Sequence, residues 1–299
     1  MHEALRQKGF QCEEYPAGAK PDALDWSRYA GLIIRSRFPV TEALLQKATG
    51  LQFIGRVGAG LENIAVQFAE RQGVKVLNAP EGNRNAVAEH ALGMLLALLR
   101  NLVRAHNEVR EGQWLREENR GTELASLTVG IVGYGYMGSA FAEKMQPLVK
   151  KVVAYDKYKE NYAPAGIEEV SLTELQEVAD VLSLHVPQTP ETIGLVDDAY
   201  LSAFKKNIMV INTARGKSLR TEALVQHLQS GHVKGAALDV LEYEKSSFTD
   251  LFSRELPGAM AYLLQSPRVI LTPHIAGWTH QSEVKMAQTL IDKLNFYGF

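Results

Sequence analysis

The stretch "LTVGIVGYGYMG" constrains this chain more than any other, because it joins an apolar strand, a sharp turn and a helix start with no residues to spare. Gly133, Gly135 and Gly138 stand as G-x-G-x-x-G directly behind the strand. The first glycine permits the tight turn, the second lets backbone approach a pyrophosphate, and the third lets helix and strand close on each other. The helix start offers N–H groups to an anion. Glycines are common, so the motif draws its weight from the next strand of the chain. That apolar run, "KVVAYD", ends in Asp156, where a carboxylate accepts hydrogen bonds from ribose hydroxyls. Such a carboxylate repels a ribose 2′-phosphate, which favours NAD over NADP. Lys157 beside it is the group able to offset that repulsion.

Short apolar runs alternate with helical periodicity on both sides of this stretch, the pattern of a parallel sheet covered by helices. Upstream, strands are expected at "GLIIRS", "LQFIGRVG" and "VKVLNAP", with helices at "HEALRQKGF", "TEALLQKAT" behind a Thr41 cap, and "ENIAVQFAERQG". Downstream, strands are expected at "VLSLHVP", "IMVINTA", "KGAALDV" and "RVILTP". Helices fall between them at "SLTELQEVA", opened by a Ser171/Glu174 capping box, and at "TEALVQHLQSG". With 299 residues, two domains are expected in an α/β chain of doubly wound parallel sheets. Residues 1–78 with 279–299 would form a smaller flavodoxin-like substrate domain, and residues 79–278 a Rossmann domain. The upstream pattern opens on a helix where an open sheet normally opens on a strand, so a strand ahead of Met1 is expected to be missing from the sequence. Between the halves, "NRNAVAEHALGMLLALLRNLVRAHNEVREGQW" reads as one long helix that links the domains or packs on a partner chain.

A formal net charge of −2 without a charged tail gives no footing for nucleic acid or lipid headgroups. The longest apolar run, "ALGMLLALL", is far short of the roughly 20 residues that cross a bilayer. Cys12 is the single cysteine and cannot form an internal disulfide, which fits a cytoplasmic location. A metal site is not expected: no two histidines sit at ligand spacing on one helix, and His227 and His232 read as surface residues.

Ligands of open α/β sheets bind beyond the carboxyl ends of the strands. Four polar residues stand there in the second half: Arg215 after "VINTA", Asp239 in "GAALDV", Glu244 five residues later, and His274 in "VILTPH". Each alone has an ordinary reading as surface charge, turn residue or core histidine. Together they suggest a carbonyl or carboxylate site. Pro273 is expected to hold the approach to His274 extended, and Gly277 to let the chain turn away. His280, past that turn, reads as a capping or surface residue.

At these residues the chain resembles the D-2-hydroxyacid dehydrogenase family from end to end. The matching stretches are "GRVGAGLENI", "NAPEGNRNAVAEHALGMLLALLR", "GQW", "TVGIVGYGYMG", "HVPQTPETIGLV", "INTARG", "GAALDV" and "LTPHIAG". The resemblance implies an NAD-dependent enzyme working between two domains. It assigns Arg215 to the substrate carboxylate and carbonyl, His274 to acid/base work, Glu244 to the partner of that histidine, and Asp239 to the nicotinamide end of the cofactor. It implies further cofactor contacts from Tyr136, Met137, His185, Val186, Pro187, Thr192, Thr213, Ala214 and Gly277. The chemistry agrees: histidine exchanges protons near neutrality, a carboxylate on its other nitrogen fixes the tautomer, and arginine's planar fork orients a carboxylate.

The remote end of the substrate is expected on the first domain, at Arg35 and Ser36 and at Arg56 with Gly58, Ala59 and Gly60. These stretches look most like the 3-phosphoglycerate dehydrogenase branch, without its C-terminal regulatory domain. Lys245 replaces the proline usual after the position of Glu244, and residues 245–267 run longer than usual, with "PGAMAYLLQS" reading as an added helical turn or two. Glyoxylate, hydroxypyruvate and lactate-type substrates therefore stay open, as does an NAD-sensing corepressor of the same fold. The family usually pairs through the region of the long helix, from which a homodimer is expected.

Overall fold

The computed structural model describes residues 1–15, 21, 24–244 and 257–299. They form two compact units, Met1–Asn83 with Trp278–Phe299, and Arg84–Gly277.

The smaller unit opens with α1 (His2–Gln7) and carries a parallel sheet of β1 (Gly31–Ile34), β2 (Phe53–Arg56) and β3 (Lys75–Asn78), in that order. Two helices connect the strands, α2 (Glu42–Lys47) and α3 (Val66–Arg71). The Thr41 hydroxyl caps α2 by accepting the Leu44 N–H. Strand periodicity sorts the side chains: Ile54 faces a cluster with Leu44, Leu45 and Ala69, while its neighbour Phe53 faces the other side with Leu77.

The long helix expected between the halves is two helices, α4 (Pro80–Leu99) and α5 (Leu102–Arg110), meeting at a bend of 58°. The break falls at Asn101, whose φ of 53° is a left-handed conformation that asparagine tolerates better than most residues. Beyond it none of α5 is buried, so packing does not hold the two in line. Among the described residues no single helix is long and apolar enough to cross a membrane.

The larger unit alternates β4 (Thr128–Val132), α6 (Tyr136–Met145), β5 (Lys151–Tyr155), β6 (Ile167–Glu169), α7 (Leu172–Val178), β7 (Val181–Leu184), α8 (Asp198–Ser202), β8 (Ile208–Asn212), α9 (Thr221–Ser230), β9 (Val233–Leu238), α10 (Gly258–Gln265) and β10 (Val269–Leu271). Its seven strands are parallel in the order β10-β9-β8-β7-β4-β5-β6. Val129 and Ile131 of β4 pack with Phe141, Met145 and Leu95 on one face, and Val132 packs with Leu175 and Leu201 on the other. Burial on both faces is why these strands read as unbroken apolar runs. β6 escaped that reading because it is a three-residue edge strand with only Ile167 buried. The Ser171/Glu174 capping box at α7 is present, and α10 forms from "PGAMAYLLQS", burying Met260 and Leu263 in the core.

The last helix, α11 (His280–Phe296), belongs to the smaller unit and lays Met286, Leu290 and Leu294 against Phe53 and Leu77. Thr279 caps it, and His280 is its exposed first residue.

Candidate active site

The sheet order reverses at β4: β5 and β6 lie to one side, and β7 follows on the other. The crevice beyond the carboxyl ends of β4 and β7 is where such sheets bind ligands. Gly133 sits there with φ 91°, and a Cβ on it would lie 2.7 Å from the carbonyl oxygen of His185, the residue after β7. A Cβ on Gly138 would lie 2.0 Å from the Gly133 carbonyl oxygen. Both glycines are thus needed by the protein itself. Gly135 is not, since a Cβ there would meet nothing within 4 Å. It is also the N-cap of α6 and supplies no side-chain cap, so Tyr136 and Met137 begin a helix whose first N–H groups lack one.

Asp156 follows β5 and accepts the Tyr134 N–H at 2.8 Å and the Tyr158 N–H at 3.0 Å, tying the glycine loop to the next strand's exit. Val186 and Pro187 lead into a loop closed by Thr192, whose hydroxyl donates to the Pro187 carbonyl at 2.6 Å. Past β8, the Ala214 N–H donates to the Asn212 side chain at 3.0 Å. The Thr213 hydroxyl is buried without a hydrogen-bond partner. That orphaned group, the open space over Gly135 and the uncapped start of α6 all fit a dinucleotide lying across the carboxyl edge. Gly135→Val is expected to leave apo stability nearly unchanged while weakening NADH binding at least about tenfold, roughly 1.4 kcal/mol; nucleotide titration beside a thermal melt checks both.

His185 is 8% exposed, with Nε2 2.8 Å from the Ser183 hydroxyl, and burial pushes its pKa down to about 3. The folded protein therefore keeps this ring neutral while the unfolded chain takes up a proton below about pH 6.5. Between those values the unfolded state binds more protons, so stability falls as pH falls. From pH 7 to pH 5 this one group is expected to cost about 2 kcal/mol. Urea melts of the apo protein should show that loss shrinking by about that amount in His185→Gln.

The acid/base candidates lie at the ends of the adjacent strands β8, β9 and β10. Arg215 follows β8, and its turn is held by the Ser218 hydroxyl and the Asn212 amide, which donate to the Arg215 carbonyl at 2.7 Å and 3.1 Å. Its guanidinium donates to the Ala214 carbonyl at 2.7 Å. A Cβ on Gly216 would lie 1.9 Å from the Leu241 carbonyl oxygen, so only glycine lets this turn press against the one that carries Glu244. Glu244 accepts the Leu241 N–H with one oxygen and meets His274 Nδ1 at 2.7 Å with the other. Although residues 245–267 are long, Glu244 is delivered to the ring; Lys245 lies outside the described residues.

The chain turns at Ala276 and Gly277, as expected. The sequence does not mark a second feature: His274 itself takes the left-handed conformation, with φ 56°. A non-glycine residue there is strained, and such strain persists where the surroundings over-determine it. Here the surroundings are Asp239. Its carboxylate is 1% exposed and accepts the Thr272 hydroxyl at 2.6 Å, the Ile275 N–H at 2.9 Å and the Ala276 N–H at 2.8 Å. Its backbone carbonyl accepts the His274 N–H at 2.8 Å. Expected at the nicotinamide end of the cofactor, Asp239 has its side chain engaged with the loop that carries His274.

His90 of α4 completes this network, with Nε2 3.0 Å from the Thr272 hydroxyl and 3.4 Å from Asp239. Sequence reasoning marks neither His90 nor Thr272. A histidine within an apolar helix carries no sign of a carboxylate reached across such a distance in chain. Burial pushes the Asp239 carboxyl up, and the hydrogen bonds from His90, Thr272, Ala276 and Ile275 outweigh it and hold it below the ordinary carboxylate value. The expectation that His227 and His232 are surface residues is corrected for His227, which is buried with Nε2 3.0 Å from Asp198. Among the described residues no three His, Cys, Asp or Glu side chains gather as a metal site would require.

In the smaller unit, Arg35 and Ser36 follow β1, Arg56 ends β2, and Gly58, Ala59 and Gly60 follow it, at one edge of the sheet. Asn78 donates to the Ala59 carbonyl at 2.6 Å, and Arg56 folds its guanidinium over Gly58. Arg35 lies 3.0 Å from Glu283 and stacks 4.3 Å over the Trp278 ring.

The family model described as D-isomer specific 2-hydroxyacid dehydrogenase, NAD binding domain, matches residues 92–276, and the chain belongs to that family. It is 33% identical to the D-3-phosphoglycerate dehydrogenase of Archaeoglobus fulgidus over 97% of its own length and 54% of that protein's. It is 36% identical to the hydroxypyruvate reductase of Thermotoga maritima over 88% of its own length and 83% of that protein's. The structure of Aquifex aeolicus D-lactate dehydrogenase complexed with NAD and lactic acid superposes with a TM-score of 0.85 at 29% identity, covering 99% of this chain and 90% of that one. The chain spans about half the length of the phosphoglycerate dehydrogenases it matches, 54%, 46% and 49% of three of them.

Proposed function

We propose that this protein interconverts a D-2-hydroxy acid and its 2-keto acid with NAD, the leading pair being 3-phosphoglycerate and 3-phosphohydroxypyruvate. The observation that carries the reaction class is the His274–Glu244 pair at 2.7 Å, at the strand ends beside the Arg215 turn. NAD, when bound, supplies the acceptor for hydride. Nδ1–H of His274 donates to Glu244, which leaves proton exchange with the substrate hydroxyl to Nε2. In oxidation that nitrogen takes the hydroxyl proton; in reduction it returns one to the forming alkoxide. Arg215 is the proposed holder of the substrate carboxylate, through the fork geometry that lysine lacks. Arg56 and the backbone of Gly58, Ala59 and Gly60 are the proposed anion-binding loop of the smaller unit.

The phosphorylated substrate draws support from the identity to phosphoglycerate dehydrogenases and from the arginines at the ends of β1 and β2. A second reading, an unphosphorylated acid such as hydroxypyruvate, glyoxylate or lactate, is favoured by Glu283, which already neutralises Arg35. Steady-state kinetics with 3-phosphoglycerate against unphosphorylated 2-hydroxy acids decide between them. We expect at least about a tenfold preference in kcat/KM for the phosphorylated acid, about 1.4 kcal/mol; the reverse preference hands the site to the second reading. Tight NADH binding without turnover of any 2-keto acid would instead leave a corepressor-like binding protein. A cytoplasmic homodimer paired through α4 and α5 is part of the proposal, supported by exposed Leu102, Val103 and Val109 on α5. A monomer in sedimentation equilibrium removes that part.

A further inference from the structure

Asp156 is followed by two lysines, and both are held. Lys159 donates to the Tyr134 carbonyl of the glycine loop at 2.6 Å, so its charge stays beside the place suited to a pyrophosphate. Lys157 is different: its ammonium lies 3.1 Å from Glu191, a carboxylate that neutralises it. Glu191 belongs to the loop after β7, whereas Lys157 follows β5, and these strands flank β4 on opposite sides. The pair therefore reaches from one side of the glycine loop to the other. The Tyr158 hydroxyl donates to the same Glu191 oxygen, fixing the carboxylate in place. Asp156 is equally fixed by two backbone N–H groups.

Fold stability does not account for this arrangement. Lys157 and Glu191 are 57% and 55% exposed, and an ion pair so wetted contributes little. Its placement next to the ribose-binding acid matters more. A 2′-phosphate carries nearly two negative charges at neutral pH and would seek the nearest unengaged cation. Lys157, adjacent to Asp156, is that cation in every respect except its prior bond.

We propose that Glu191 is a second residue selecting NAD over NADP: it occupies Lys157, so that this lysine does not offset the charge of Asp156 toward a 2′-phosphate. This rests on the NAD-binding role of the larger unit. Lys157 is drawn toward higher pKa by its bond to Glu191, in keeping with a stably paired ammonium.

The test is direct binding, by nucleotide fluorescence at low salt, of NADH and NADPH to the unsubstituted protein, to Glu191→Gln and to Glu191→Gln with Lys157→Met. Glutamine keeps the size of the side chain and an oxygen for Tyr158 while removing the charge. We expect Glu191→Gln to tighten NADPH by about fivefold, the scale of one unit charge at a few ångströms in a wet site, with NADH affinity nearly unchanged. Adding Lys157→Met should abolish the gain. An NADPH-to-NADH ratio unmoved by Glu191→Gln, or a gain that survives without Lys157, overturns the assignment. Failure of the unsubstituted protein to bind NADH overturns the dinucleotide reading beneath it, and the two failures are told apart by that first titration.

Discussion

His274→Asn is expected to lower kcat by about 10²- to 10⁴-fold while NADH affinity is retained, the usual worth of a positioned acid/base group. Asparagine is the informative replacement for a reason the backbone supplies. Position 274 has φ 56°, and asparagine enters the left-handed region with less strain than alanine or a branched residue. The substitution removes the proton-exchanging ring without adding a backbone penalty. Unchanged melting temperature with collapsed turnover is the expected pair of results. Near-normal turnover would move the acid/base role to another group and take the meaning of the Glu244 contact with it.

Asp239→Asn is expected to cost about 3 kcal/mol of stability and at least about tenfold in kcat, through the loop that its carboxylate holds. An amide has one oxygen where the carboxylate has two. If that oxygen stays with Thr272 and Ile275, the amide NH2 points at the Ala276 N–H, donor against donor, at a side chain only 1% exposed. The charge that His90 and the two backbone amides solvate is lost as well. Denaturant melts and kinetics on the same variant check both effects. The depressed acidity of Asp239 adds a sign: its contribution is complete above the ordinary carboxylate range and is lost only as pH falls through its lower folded value. Wild-type stability in Asp239→Asn would mean that the loop is held by its own backbone.

Much of the site is legible in the residues alone. The glycine spacing, Asp156 and the strand-end histidine each follow from a local rule, because period, turn chemistry and strand polarity act over a few residues. The His274–Glu244 contact is also within reach, since both residues end neighbouring strands of a sheet whose order the alternation implies. What escapes depends on groups that meet only after folding. His90 lies 182 residues from Thr272, and nothing in an alanine- and leucine-rich helix marks it as a partner for a carboxylate. The break at Asn101 is hidden because helical periodicity continues on both sides of it. Composition points to Gly277 for the turn, which is there, but does not show that hydrogen bonds to Asp239 also hold His274 in a left-handed conformation. The position of Arg35 after a strand suggests a substrate contact, and its engagement by Glu283 comes from a helix at the other end of the chain.

The anchoring of the His274 loop has a bearing on how activity is lost. A loop pinned only by surface contacts would open on its own, well before the rest of the domain, and the enzyme would fade on mild warming. This loop is bound to a carboxylate at the end of β9, a strand paired with β8 on one side and β10 on the other. To release it, that carboxylate must be exposed, and with it the edge of the core. On the proposed role of His274, inactivation and cooperative unfolding are thereby made into a single event, and that histidine keeps its strained conformation for as long as the sheet exists.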